Sequence, residues 1–222
     1  MASSSSMDDE KGHAMTPARP LITLDTYLKT PETVKPMELA RGVLRVADSP
    51  SAFHQAVVIE LFRALDAHVR ALDLGRVWVA PLDIVLSAEQ AIVVQPDLFF
   101  VSSSLDFIVR DRVYGAPELV VEVLSPNPRI GSTEERLGWF AEFGVRECWL
   151  VDQTDVTITI VRFDNRRIAE RDRLLKCEEI ESNVLPDFTM TLDEILSSTL
   201  PSEPREDLPP WRPSPEYKKP RR

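Results

Sequence analysis

The sequence predicts an α/β fold in which a mixed β-sheet is flanked by helices. Two observations support this prediction: one long segment has apolar residues at helical spacing, and several short Val- and Leu-rich segments have the composition of strands. The predicted order is strand, strand, strand, helix, strand, with a further helix in front, which is typical of helices packed on a mixed sheet. The 222 residues suffice for one domain with a sizeable core.

The first half of the predicted domain is organised around a long helix. TLDTYLKT predicts a short helix capped by Thr23, and GVLRVADS predicts a short strand. An amphipathic helix is predicted from about His54 to Leu72. Its apolar stripe consists of Val58, Leu61, Phe62, Leu65, Val69 and Leu72. After it, RVWVAPLDIVLS and AIVVQPDLFFVS predict two strands joined by SAEQ.

The second half alternates strands and helices. PELVVEVLS predicts a third strand, and NPRIGSTEERLGWFAEFG predicts a helix closed by Gly144. ECWLVD and VTITIVRF predict two more strands separated by the polar turn QTD, and LPDFTMTLDEIL predicts a short helix after a loop. The domain is therefore expected over residues 20–198. Residues 1–19 are Ser-rich and residues 199–222 are Pro-rich, and both are expected to be extended or disordered tails.

Composition restricts the classes of function. A net charge of −10 argues against a broadly basic nucleic-acid surface, so a nucleic-acid function needs a local basic groove or a metal. No apolar run approaches the roughly 20 residues that span a bilayer, and the first residues lack the apolar region of a secretion signal. Cys148 and Cys177 form no CxxC motif. We therefore expect a cytoplasmic protein with no membrane partner.

A carboxylate lies inside the apolar stretch PELVVEVLSP. Because side chains alternate along a strand, one face carries Glu118, Val120, Glu122 and Leu124, and the other carries Leu119, Val121 and Val123. Burying an unpaired carboxylate is so costly that Glu122 must pair, bind a metal or take up a proton.

A second acid, Asp97, precedes an apolar run in QPDLFFV. It lies 25 residues before Glu122, far enough for the two strands to lie side by side with a loop between them. Two carboxylates on neighbouring strands can share one Mg²⁺, which binds through one or two carboxylates and keeps several waters. One of those waters can attack a phosphodiester.

These segments resemble a known family. QPDLFFV, GAPELVVEVLSP, a helix and then FGVRECWLVD resemble the Uma2 family of restriction-endonuclease-like proteins, a branch of the PD-(D/E)xK nuclease superfamily. SPSAFHQ, APLDIVLS and LPDFTMTLDEIL extend the resemblance over roughly residues 21–197. It implies a restriction-endonuclease-like core, hydrolysis of DNA phosphodiester bonds with Mg²⁺ or Mn²⁺, and a homodimer suited to cutting two strands.

The resemblance also implies roles for single residues. Asp97 is expected to be the aspartate of the PD element and Glu122 the second acid, both as metal ligands, with the backbone carbonyl of Val123 completing the metal site. Many nucleases of the superfamily have a lysine two residues after the second acid, where this chain has Leu124.

In Uma2-like sequences the lysine comes instead from the next helix, in a segment resembling DxxxKxxxY. The matching stretch here is STEERLGWF, which places Ser132, Arg136 and Phe140 at these positions on one helix face. Arg136 is therefore expected beside the attacked phosphate. Arginine supplies charge and a fork of donors but does not deprotonate, so Arg136 cannot be a general base.

Several alternatives stay open at this stage. The chain is either an endonuclease or a catalytically degenerate member of the same fold that acts as a binding or interaction module; a third possibility is a hydrolase acting on nucleotides. Glu122 and Arg136 form a structural ion pair in the degenerate case, and Asp97 caps a turn. Three further residues are weaker site candidates, because each can instead occupy a solvated or capping position: His54, Glu60 and Asp83.

Overall fold

The computed structural model describes residues 21–31, 36–47, 49–125 and 131–198. The predicted tails, residues 1–19 and 199–222, lie outside these ranges. In chain order the elements are α1 (Leu24–Leu28), β1 (Met37–Ala40), β2 (Val43–Val46), α2 (Ala52–Ala71), β3 (Gly75–Val79), β4 (Ile84–Ser87), β5 (Ile92–Val94), β6 (Leu98–Ser102), a 3₁₀ helix (Ser103–Ile108), β7 (Val113–Tyr114), β8 (Leu119–Leu124), α3 (Thr133–Phe143), β9 (Glu147–Asp152), β10 (Thr157–Asp164), β11 (Arg167–Leu175) and α4 (Leu192–Leu196).

Two mixed sheets form the framework. The larger has six strands in the order β11-β10-β9-β8-β6-β3, and the smaller has five in the order β2-β1-β5-β4-β7. In the larger sheet β8 and β9 are parallel and are connected through α3, whereas the other neighbours are antiparallel. In the smaller sheet only the β4–β7 pair is parallel. The predicted fold class, α/β with a mixed sheet flanked by helices, is confirmed.

The two faces of the larger sheet have separate cores. On one face, α2 and α4 pack against Leu119, Val121 and Val123 of β8. On the other face, α3 and the smaller sheet pack against Val120. The alternation predicted for β8 is therefore correct, and it turns Glu122 towards α3 and the smaller sheet.

Helix termini follow local signals. Thr23 caps α1 by accepting a hydrogen bond from the backbone N–H of Thr26, as predicted. Gly144 ends α3 with φ of 100°, a left-handed conformation that favours glycine. Helix α2 begins two residues before the predicted start, because Ser51 caps it by accepting from the N–H of His54. Helix α3 begins only at Thr133, capped by Ser132, so the predicted earlier start is wrong within the described residues.

The two strands predicted as RVWVAPLDIVLS and AIVVQPDLFFVS are each split in two, so that prediction is wrong. Each segment contributes one strand to the larger sheet (β3, β6) and one to the smaller sheet (β4, β5). Pro81 and Pro96 lie at the breaks. Proline has no N–H for the ladder, and it therefore marks the place where the chain passes between sheets.

No helix among the described residues combines the length and the apolar character needed to cross a membrane.

Candidate active site

Two acids from neighbouring strands lie at the centre of the candidate site. Leu98 of β6 is paired with Val121 of β8, so Asp97 and Glu122 lie one residue beyond this pair on adjacent strands. The Oδ2 atom of Asp97 accepts a hydrogen bond from the backbone N–H of Val123 at 2.8 Å. This bond fixes the carboxylate of Asp97 against the end of β8.

Arg136 reaches the same place from α3. Its Nε donates to Oε1 of Glu122 at 3.1 Å, and its Nη2 donates to the same oxygen. Its guanidinium also lies over the ring of Phe140, with 5.7 Å from Cζ to the ring centroid. The Arg136–Glu122 ion pair, one of the alternatives left open by the sequence, is therefore present. The helical spacing that aligned Arg136 and Phe140 with the family motif also brings them into contact.

Glu38 is a third acid that the sequence analysis missed. It lies on β1 in the smaller sheet, only 1 % exposed, and its Oε2 accepts from Nη1 of Arg136. Its other oxygen accepts from the backbone N–H of Gln95 at 2.8 Å. The signal that could have found it was a single acid inside the apolar strand MELA, the same signal that identified Glu122.

His54, a weaker candidate from the sequence, is the fifth member of the cluster. Its Nε2 lies 3.2 Å from the carbonyl oxygen of Val123 and 3.5 Å from Oδ2 of Asp97. The residue is 9 % exposed, and its Nδ1 is buried without a hydrogen-bond partner among the described residues. The N-terminal end of α2 therefore belongs to the site.

The electrostatics of the cluster follow from burial and from an excess of acids. Burial raises the pKa of Glu122 to about 7; the charges of Asp97 and Glu38 add to this rise, and Arg136 opposes it. Burial by itself disfavours the charged guanidinium, but Glu122 and Glu38 outweigh this effect and raise the pKa of Arg136. The hydrogen bond with Asp97 raises the pKa of His54 against the effect of burial.

The cluster opens into a cleft of 890 Å³. Among the described residues that line the cleft, three are acidic, Glu38, Asp97 and Glu122, and the one Arg or Lys is Arg136. Arg136 is only 11 % exposed and is committed to two of these acids. The cleft in this form attracts a cation more readily than a phosphate.

The donors present fit a divalent cation that prefers oxygen ligands. Asp97 Oδ2 and the Val123 carbonyl oxygen lie 3.5 and 3.2 Å from the same atom, Nε2 of His54. Both hydrogen bonds that Arg136 donates to Glu122 fall on Oε1, so Oε2 receives neither. Within the described ranges, no set of three or more His, Cys, Asp or Glu side chains is grouped to hold a metal. The expected ligand set needs only two carboxylates and a carbonyl.

The other two candidates lie outside the cluster. Asp83 accepts from Tyr27, Gln95 and Arg112 at 2.7–3.0 Å, in a partly buried network that joins α1 to the smaller sheet. Glu60 pairs with Arg63 at 2.7 Å on α2. Both acids are accounted for by structural contacts.

Comparison with known proteins agrees with this fold. No protein with a curated description matches the chain. A crystal structure of a "putative nuclease belonging to DUF820" from Anabaena variabilis is similar with a TM-score of 0.68 and 19 % identity, covering 81 % of this chain and 99 % of that one. At this identity the likeness concerns the fold alone. The model of the Uma2 family, described as "Putative restriction endonuclease", matches residues 24–193. The chain therefore belongs to the Uma2 family.

Proposed function

We propose that the protein is a nuclease that hydrolyses DNA phosphodiester bonds with a divalent cation, Mg²⁺ or Mn²⁺. The observation that carries the proposal is the pair Asp97 and Glu122, which lie on neighbouring strands in one acidic cleft. The family resemblance leads us to expect the two acids of the site at these positions. Asp97, Oε2 of Glu122 and the carbonyl of Val123 are the proposed metal ligands. When bound, such a cation supplies Lewis acidity towards a phosphoryl oxygen and offsets the charge of the cleft.

Arg136 takes the part of the family's lysine in this proposal. A guanidinium has five N–H groups, and Glu122 and Glu38 occupy three of them. One N–H on each terminal nitrogen is left to donate to oxygens of the scissile phosphate. Because its pKa is raised, Arg136 stays charged throughout and stabilises developing negative charge without acting as a base.

A cleavage assay with matched variants tests the proposal. Plasmid, single-stranded DNA and nucleotides are incubated with wild type, Asp97→Asn and the control Asp66→Asn, which removes a surface acid paired with Arg70 on α2. We expect cleavage of DNA only with Mg²⁺ or Mn²⁺, and a loss of at least about tenfold for Asp97→Asn, by analogy with the cost of disturbing a metal site. The proposal fails if wild type cleaves nothing with any divalent ion, or if Asp97→Asn cleaves DNA as wild type does. Consumption of nucleotides alone would indicate the different hydrolase considered above.

A catalytically degenerate binding module is the second candidate. The observation in its favour is that Arg136 bridges Glu38 and Glu122, so the buried acids are neutralised without any metal. Titration with Mn²⁺ in a calorimeter separates the two candidates. Absence of both heat and a thermal shift would support the module, whereas saturable binding that Asp97→Asn abolishes would support the nuclease.

Assembly and location are further parts of the proposal. The family resemblance favours a homodimer, which sedimentation equilibrium tests by looking for twice the monomer mass. Cys148 and Cys177 are both free thiols. This supports our proposal that the protein works in a reducing cytoplasm.

A further inference from the structure

We propose that the cleft takes an unpaired stretch of DNA, with one base stacked on Phe53 and the amine of that base bonded to Gln153. The inference rests on the proposed function, because it names the form of DNA that reaches the acids of the site. A single strand, and not an intact duplex, is then the preferred ligand.

The acids of the site lie below the surface. The side chains of Asp97 and Glu122 are at most 22 % exposed, and Glu38 is buried. The cleft volume of 890 Å³ falls within the range of pockets that hold a small organic ligand, about 300–1,000 Å³. A base can enter such a space only after it leaves the stacked duplex, and this step costs least when the strand is already single.

An exposed aromatic side chain lies at the mouth of the cleft. Phe53 is 38 % exposed, and it lines the cleft together with Pro50 and Pro81, which are also exposed. It directly precedes His54, whose Nε2 lies 3.2 Å from the carbonyl oxygen of Val123, so it is anchored beside the end of β8. Bases of single strands stack on such aromatic rings, and every base has a face that can stack.

The charge of the cleft favours contacts to a base over contacts to many phosphates. Among the described residues that line it, Arg136 is the one Arg or Lys, and it is paired with Glu38 and Glu122. Proteins that bind a duplex through its backbone neutralise several phosphates with Lys and Arg, and their affinity falls steeply with salt. Stacking therefore has to supply most of the affinity here, and binding should depend only weakly on salt.

Gln153 provides a hydrogen-bond acceptor at the wall of the cleft. Its Nε2 donates to the carbonyl oxygen of Leu124 at 3.0 Å, which fixes the orientation of the amide. Its Oε1 is buried and has no hydrogen-bond partner within the described part of the chain. A buried acceptor without a donor costs free energy, which an N–H group of a ligand can recover. Adenine and cytosine carry an amine that can donate, whereas guanine and thymine have a carbonyl oxygen at the matching position.

Fluorescence anisotropy with labelled oligonucleotides tests the proposal. Single-stranded and duplex DNA of equal length are titrated with wild type, Phe53→Ala and the control Phe107→Ala, with Ca²⁺ as a divalent ion that takes oxygen ligands. Phe107 is more exposed than Phe53 and lies on the 3₁₀ helix, and it is not among the described residues that line the cleft. We expect Phe53→Ala to bind the single strand about 5- to 150-fold more weakly, the equivalent of stacking one base, and Phe107→Ala to bind as wild type does.

Wild type alone provides two further readouts, so the test does not depend on the folding of a variant. It should bind the single strand more tightly than the duplex, and log K should fall with log salt with a slope no steeper than about −1.5, equivalent to two phosphate contacts. It should also bind oligo-dC more tightly than oligo-dT, a preference that Gln153→Leu should remove. Equal binding of oligo-dC and oligo-dT by wild type would refute the role of Gln153.

The stacking role of Phe53 is overturned if wild type binds both forms of DNA equally or not at all, or if Phe53→Ala binds the single strand as wild type does. A dimer that Phe53→Ala converts to monomers without a change in DNA affinity would instead assign Phe53 to an interface between copies. Single strands bound through Phe53 but cleaved with no divalent ion would end the nuclease proposal and keep this one. Cleavage of duplex plasmid in preference to single strands would end this proposal and keep the nuclease.

Discussion

Replacing Arg136 by Met should destabilise the protein strongly, because it leaves two acids in the interior without their cation. Methionine has a similar length, packs against Phe140 and removes the charge and all donors. Glu38 is 1 % exposed, so water cannot replace the guanidinium at its carboxylate, and the side chain of Glu122 is only 16 % exposed. The perturbation therefore isolates the electrostatic role of Arg136.

The magnitude follows from the burial of the pair. Breaking a buried ion pair by removing one partner costs about 3–5 kcal/mol, because an uncompensated charge stays inside. Arg136 serves two acids, so we expect the upper half of this range at pH 8. The loss of unfolding free energy should be smaller towards pH 5. There Glu122, whose pKa is about 7, takes up a proton and no longer carries the charge that the guanidinium balances.

Urea denaturation of wild type and variant at both pH values measures this effect. The matched control is Arg171→Met, which removes a bidentate Arg–Glu pair with Glu134, at 2.6 and 2.7 Å, on the surface. Both side chains of that pair are at least 40 % exposed, so its loss should cost only about 0–1 kcal/mol. If Arg136→Met costs no more than Arg171→Met, or if its cost is the same at both pH values, the reasoning about the buried cluster is wrong.

Three further predictions concern stability and reactivity. The pKa of Glu122 is raised from 4.5 to about 7, so its contribution to stability is complete below pH 4.5 and is lost as the pH rises through 7. Relative to Glu122→Gln, urea denaturation should show wild type losing about 3 kcal/mol between these limits; parallel pH profiles would contradict this. Gly144→Ala should cost about 1 kcal/mol in thermal unfolding, because φ of 100° strains a residue with a Cβ, and a neutral effect would argue against that strain. A thiol reagent should modify exposed Cys177 at once and Cys148 only on unfolding, because burial also raises the pKa of Cys148; equal rates would refute the buried placement.

Much of the fold could be predicted because its signals are local. The period of the apolar residues identified α2, and the caps Thr23 and Gly144 marked where helices begin and end. Strict alternation along β8 placed Glu122 on the correct face. The spacing between two acids on adjacent strands, together with family motifs, was enough to bring Asp97 and Glu122 side by side.

The remaining features depend on contacts that no short segment encodes. Two segments that resembled long strands are divided between the sheets at prolines, and this division creates the smaller sheet. That sheet carries Glu38, which meets Arg136 although 98 residues separate them in the chain. His54 comes three residues after the helix cap Ser51. Nothing in the sequence around it indicates its contact with Val123, 69 residues away. Only the tertiary arrangement makes these two residues part of the site.

We propose that a divalent cation binds beside Asp97, Glu122 and the carbonyl of Val123. The decisive measurement is anomalous scattering at the manganese edge from a crystal grown with Mn²⁺. We expect one strong peak bonded to Asp97 and to the carbonyl of Val123, with Oε2 of Glu122 turned towards the same ion. A cleft without anomalous density at saturating Mn²⁺, or an ion bound elsewhere on the protein, would contradict it.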